Sequence, residues 1–245
     1  LGFQCRLARQ VLDYPMPSST NPSTTNISNK KHHKPNNNNT EAPCIILDNF
    51  LHPHELKHLQ HVFQDPKASY WTDHSYQVEP PSPYFSYVLD LKKKSSHPQP
   101  GSGGSGGFIA QLAQQIRQLP QLQAKFPQLA QANYVELWAH NRPHASGHQL
   151  HFDSDDEGRG GKIRNPVCST ILYLTTFDDD AMATTATTNH PPGGPSLVTN
   201  QRLTSQHLAT KGWLAHPKAR RLVVFDGGVL HGVIPGKGVH PGRRV

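Results

Sequence analysis

Two short His-bearing patterns carry the chemistry open to this sequence. The first is His151-Phe152-Asp153, with His231 lying 78 residues beyond Asp153. On a strand, residues i and i+2 point to one face, so the His151 imidazole and the Asp153 carboxylate converge. His231 follows the run Leu222-Val223-Val224-Phe225-Asp226 and the turn Gly227-Gly228. Two imidazoles and one carboxylate on one side of an ion leave its other positions open. That arrangement suits non-haem Fe(II), which must accept a cosubstrate and O2 together. The second pattern is His54-Glu55-Leu56-Lys57-His58, a literal HExxH, which in zinc proteases puts two His on one helical face with the Glu as general base. Here His54, His58 and His61 lie opposite the Leu56/Leu59/Val62/Phe63 stripe and so face solvent. Pro53 suits a first helical turn, which leaves His54 at a fraying end. A zinc metalloprotease is therefore the third reading of this chain. With 17 His in the sequence, His140, His144, His148, His190, His207, His216 and His240 read as surface or loop residues.

The elements that must position these groups fall into two textures. Cys44–Leu47 reads as a short apolar strand, the stretch after Leu51-His52-Pro53 as an amphipathic helix, and Tyr84–Leu89 as a strand. Phe108–Leu119 reads as a second amphipathic helix, stopped by Pro120. Beyond residue 130 the candidate strands are 133–139, 148–153, 168–175, 196–199, 221–226, 229–234 and 243–245. Short strands with turn-rich connections predict a mainly β fold, a sandwich or barrel with the early helices on its outside.

Composition bounds the rest. The apolar fraction is 34%, or about 39% when glycine is counted and tyrosine is not, against a usual ~45–50%. Polar low-complexity stretches at 17–42, 92–107 and 178–196 account for the deficit. The expected organisation is a disordered or low-complexity segment over 1–42 and one domain over 43–245, interrupted near 92–107 and 178–196. The net charge of +7 comes from scattered Lys and Arg, a solubilising pattern that gives no clear nucleic-acid signal. Cys5, Cys44 and Cys168 lack CxxC spacing and read as reduced thiols. No apolar run is long enough to span a bilayer. The expected compartment is cytoplasmic or an organelle lumen, with nothing to choose between them.

With these elements in order, the chain resembles the 2-oxoglutarate/Fe(II)-dependent dioxygenases, and within them the prolyl 4-hydroxylase-like group. The resemblance runs from Pro43 to the end. Cys44–Leu51 looks like the opening strand and turn, Tyr134-Val-Glu-Leu-Trp138 like the strand before the metal strand, and Cys168–Tyr173 like the next core strand. Gly193-Gly194 before Ser196-Leu-Val198, and Arg221–Phe225 leading to Leu230-His231-Gly-Val-Ile-Pro235, are similar to later family elements. Gly242-Arg243-Arg244-Val245 looks like the strand that supplies a basic residue.

The resemblance implies a double-stranded β-helix (jelly-roll) core whose last strand would continue past Val245. It implies Fe(II) on His151, Asp153 and His231, with 2-oxoglutarate as cosubstrate, O2 as co-reactant and ascorbate as reductant. A guanidinium would pair with the distal carboxylate of 2-oxoglutarate. Arg243 and Arg244 are adjacent, so on a strand one points inward, and position relative to Val245 favours Arg244. Tyr173 matches a position whose hydroxyl touches the same carboxylate, or is a core aromatic. Trp138 lines the pocket or is an ordinary core residue. The implied reaction is hydroxylation of a C–H bond, most specifically of a prolyl residue in a peptide or protein, yielding succinate and CO2. Family members that halogenate lack the carboxylate that Asp153 supplies. The acidic loop Asp155-Asp156-Glu157 would flank the site mouth. The competing reading from another class is a non-catalytic β-sandwich binding module that retains the fold.

Overall fold

The computed structural model describes residues 43–73, 86–92, 105–143, 146–154, 163–175, 194–236 and 243–245. The expected 1–42 segment, the acidic loop, and most of the stretches at 92–107 and 178–196 lie outside the described residues.

Leu222–Asp226 is the strand around which the rest is layered. It is almost wholly apolar, LVVFD, and Leu222, Val223, Val224 and Phe225 are each at most 1% exposed. A strand can be buried on both faces only if something covers each one. In chain order the strands are β1 (Cys44–Leu47), β2 (Tyr87–Asp90), β3 (Tyr134–Leu137), β4 (Arg142–Pro143), β5 (His148–His151), β6 (Cys168–Leu172), β7 (Ser196–Arg202), β8 (Gly212–Ala215), β9 (Leu222–Asp226), β10 (Val229–Val233) and β11 (Arg243–Arg244). They pair antiparallel as β1-β9-β6, β5-β10-β7-β8, β11-β4 and β2-β3. Val223 and Phe225 of β9 face Val198, Ala215 and Val229 of the four-stranded sheet. Leu222 and Val224, one residue out of phase, face Leu122, Phe126 and Leu129 on the helical side. The period of two thus divides one strand between two cores.

The helices are α1 (Pro53–Phe63), α2 (Ser69–Thr72), α3 (Ser105–Gln118) and α4 (Pro120–Lys125), followed by a 3-10 segment, Pro127–Gln131. Leu56, Leu59 and Phe63 of α1 pack with Trp71, Ile109, Leu112 and Leu174. This is the outside position that the sequence predicts for the helices. Pro120 separates two helices and also starts the second, with Leu119 as its N-cap. Glu55 accepts a hydrogen bond from the His52 backbone N–H at 2.7 Å and closes a capping box on α1. Among the described residues no helix is long and apolar enough to cross a membrane.

Several sequence expectations shift at their edges. The strand expected over 148–153 ends at His151, so Asp153 lies beyond it. Strand β7 continues to Arg202. Strands β4 and β8 were not expected at all, because Pro143 breaks a strand pattern and Gly212-Trp-Leu-Ala is too short to carry one. Proline is tolerated where a strand pairs on one side only, which is the position of β4.

Two local contacts hold this frame at its ends. Asp48, just after β1, receives Arg221 Nε at 2.6 Å and Nη2 at 3.0 Å, and Lys218 Nζ at 2.9 Å. These donors hold its carboxyl well below the usual carboxylate range. Gly194 sits against the β10 end so closely that a Cβ there would lie 1.5 Å from the Ile234 carbonyl oxygen.

Two outcomes are expected. Gly194→Ala should lose stability at or above the upper end of the ~1–3 kcal/mol typical of overpacking, read as a lower Tm. Asp48→Asn should cost about 1 kcal/mol or less at pH 7, because the pair is solvent-screened. The folded carboxyl is held below its unfolded value, so the contribution is full above the unfolded pKa near 3.8 and fades as pH falls toward the folded one. Denaturant midpoints of the two proteins should therefore converge in acid.

Candidate metal centre

Strands β5 and β10 pair so that His151 and His231 are direct cross-strand partners. Such partners share a face, and the two imidazole centroids are 4.3 Å apart. The close approach needs Gly232 beside the ligand, since a Cβ there would lie 2.9 Å from the His148 carbonyl oxygen. On its far side His231 packs against Phe225 of β9, centroids 4.6 Å apart, so the pair stands between the two main sheets.

Each imidazole is aimed by its own strand. His151 Nδ1 meets the Gln149 carbonyl oxygen at 2.9 Å, and His231 Nδ1 meets that of Val229 at 3.0 Å. A carbonyl oxygen only accepts, so Nδ1 carries the proton in both rings and Nε2 presents its lone pair. Asp153 enters from beyond the β5 terminus, where Asn165 Nδ2 donates to its carbonyl oxygen at 2.6 Å. Its Oδ2 accepts from the Ser169 hydroxyl, which leaves Oδ1 for a second partner. That oxygen lies 3.4 Å from His151 Nε2 and 3.5 Å from His231 Nε2.

The fit to a cation follows from this donor set. His151 Nε2 is buried and has no hydrogen-bond partner, a costly arrangement unless something is bound there. The three ligand atoms lie within 4.8 Å of one another, the one such group among the described residues, and the 3.4 and 3.5 Å gaps from the Asp153 oxygen are ones that two bonds of about 2.0–2.2 Å to a shared ion can span. Both rings also have an outer hydrogen bond of the kind that orients metal-bound imidazoles. Burial pulls the His151 pKa down, but Asp153 and the Gln149 carbonyl outweigh it and the net shift is upward. Burial raises Asp153, and the adjacent His151 imidazole, His231 and the Ser169 hydroxyl together bring it below its ordinary value. His231 is lowered, chiefly by burial. His151 and Asp153 keep 24% and 18% of their side-chain surface, against 9% for His231, so the open side of the site is that of the first two.

The remaining expected residues separate. Arg244 is 8% exposed and donates to the carbonyl oxygens of Gly194 (Nη1, 3.3 Å) and Ser146 (Nη2, 2.9 Å). Arg243 is turned to Asn141, with Nε to Oδ1 at 2.6 Å and Nη2 to the carbonyl at 2.8 Å. Asn141 in turn donates to the Phe63 and Gln64 carbonyls at the end of α1, so Arg243 ties β11 to that helix. Tyr173 is 3% exposed. Its hydroxyl is paired with Ser196 Oγ at 2.6 Å and donates to the Ala215 carbonyl at 3.3 Å, while Arg244 acts on it electrostatically. Trp138 is half-buried with its ring 5.0 Å from His140.

His140, in a loop as expected, and His148, which lies on β5, continue a row of rings from Trp138 to the metal pair. Centroid distances are 5.4 Å from His140 to His148 and 4.7 Å from His148 to His151. Burial, with the neighbouring His and Arg side chains, pushes His140 down to about 3 and His148 to about 4. Arg142, also passed over in the sequence, has a buried Nε without a partner. The density of His and Arg in WAHNRPHASGH, directly before the ligand strand, is the signal that could have found them. The HExxH residues fall as expected, with His54 and His58 exposed on α1 and Glu55 engaged in the cap.

Fold and site together define a β-rich protein with a candidate metal centre of two His and one Asp. No family model matches the chain, and no curated protein does. Among solved structures it is similar to a prolyl-4-hydroxylase from Pseudomonas putida, at 17% identity and a TM-score of 0.42 over 82% of this chain and 88% of that one. A likeness this loose carries no argument about site or reaction.

In Mn(II) titrations, Asp153→Ala should abolish stoichiometric binding. Ser169→Ala, which frees the carboxylate to turn, should weaken it about 10–100-fold. His54→Ala should leave it unchanged.

Proposed function

We propose that the protein is a 2-oxoglutarate- and Fe(II)-dependent oxygenase with residues 43–245 as its catalytic domain and a double-stranded β-helix, jelly-roll core. The observation that carries this reading is the His151/Asp153/His231 group, whose two Nε2 atoms and one carboxylate oxygen converge from one side. A one-sided set of two imidazoles and a carboxylate suits Fe(II) that must also take an oxo acid and O2. The resemblance of the sequence to the prolyl 4-hydroxylase-like dioxygenases supports it, and so does a buried arginine close to Tyr173.

Bound there, Fe(II) would supply the oxidising chemistry that converts 2-oxoglutarate and O2 to succinate and CO2 while a C–H bond of the substrate is hydroxylated. The chain's own residues do the positioning. Backbone carbonyls of Gln149 and Val229 fix both imidazole tautomers, and Ser169 fixes the carboxylate. Arg244 holds positive charge in a buried setting, where a guanidinium pairs strongly with a carboxylate. Phe225 and the neutral rings of His140 and His148 wall the site with groups that bring no competing charge. The finer reading is that the substrate is a prolyl residue of a peptide or protein, with ascorbate keeping the iron reduced.

The test is an anaerobic titration of Fe(II) and 2-oxoglutarate, followed by the visible metal-to-ligand charge-transfer band. A band that is lost in Asp153→Ala and kept in Glu55→Ala is expected, as is succinate formation stimulated by proline-containing peptides. A folded protein that binds Fe(II) and 2-oxoglutarate without a band overturns the reading.

A further inference from the structure

The His151/Asp153/His231 centre makes no use of the HExxH pattern on α1, and the helix splits that pattern into two halves. Glu55, the residue that would act as general base in a zinc protease, accepts from the His52 backbone N–H at 2.7 Å and closes the capping box. His54 and His58 are exposed rather than enclosed by a cleft. The catalytic half of the motif is thereby spent on the helix cap. The metal-binding half does not depend on it. Residues i and i+4 of a helix lie one above the other on the same face, with about 5–6 Å between their Cβ atoms. Two imidazoles so placed can close on one ion through bonds of about 2.0–2.1 Å.

The surroundings prepare this pair. Helix α1 runs from Pro53 to Phe63, and its capping box opposes fraying at the end that carries His54. Each ring also has a neighbour that limits its freedom. His54 stacks on His52, with centroids 5.8 Å apart and 10° between the planes. His58 meets the Phe108 ring of α3 nearly at right angles, with centroids 5.5 Å apart. Among the described residues neither imidazole has a hydrogen-bond partner to compete with an ion. With Glu55 engaged in the cap, the set offers imidazole alone. Imidazole ligands suit Cu(II) and Zn(II), which bind such sites more tightly than Mn(II) does.

We propose that His54 and His58 form a second, non-catalytic transition-metal site on the exposed face of α1, taking Zn(II) or Cu(II) with water in the remaining positions. The ion spans one turn of the helix, and because the unfolded chain lacks that spacing, binding stabilises the folded state. The site is independent of the reaction at the other centre.

The experiment is equilibrium dialysis of the full chain against Zn(II), with the metal counted per chain and Mn(II) binding followed in parallel. His54→Ala and His58→Ala should each lose one equivalent of Zn(II) relative to wild type, show a smaller Zn(II)-dependent rise in Tm, and bind Mn(II) as wild type does. His54→Ala carries the test if removing His58 from its contact with Phe108 prevents folding, since the His54 ring stacks only on His52. A folded variant that keeps the full wild-type Zn(II) count overturns the site. So does a loss confined to His58→Ala, which would remove His54 from the ligand set, and so does a loss that extends equally to Mn(II).

Discussion

The pairing of β5 with β10 is the constraint on which the site depends. Its register sets His151 opposite His231, and in an antiparallel ladder that fixes which two side chains meet and on which face. A shift of one residue in either strand would turn its ring to the other face and separate the pair. The carbonyls two residues upstream then determine which nitrogen of each ring is free. The same backbone that forms the sheet thus also prepares the metal ligands. Three lone-pair-bearing atoms are left pointing at one another, which is unfavourable in an empty site and favourable around a cation.

That register is held from outside the site. Strand β9, buried on both faces, gives the four-stranded sheet something to pack against through Val223 and Phe225, and Phe225 also backs His231. Its opposite face is closed by α4 and the 3-10 segment. The rim is tied by a different device. Arg243 grips Asn141, and Asn141 donates to the carbonyls at the end of α1, groups that the helix itself leaves unpaired. Because Arg243 is committed to this link, its neighbour Arg244 is the one turned into the buried interior beside Tyr173. Adjacent residues of identical type have been separated into a structural role and an interior charge by strand alternation alone.

The contrast between the two His motifs has the same origin. HExxH at 54–58 is complete by spacing, yet α1 spends its apolar stripe on the core and leaves those imidazoles in solvent. Its Glu55 closes the helix cap. The HxD pattern is shorter and less specific by itself, but its partner arrives from a strand that the hydrophobic core has no choice but to bury.

Residue type and spacing, together with the family resemblance, picked out His151, Asp153 and His231 as candidate ligands. The apolar strand at Leu222–Phe225 and the outward turn of His54 and His58 follow from periods of 2 and 3.6, which are local properties of the backbone. The opposition of Arg142 on β4 to Arg244 on β11 was not legible, because it joins distant residues through a strand containing Pro143, where pattern reading expects none. The ring row through His140 and His148 was hidden for a related reason. Burial of a polar side chain depends on which surfaces the fold brings over it, and an isolated His in a loop-like sequence gives no sign of that. Which groups were available to do chemistry was written in residue type and period. Which of them share one buried space was decided only when long-range strand pairing put them there.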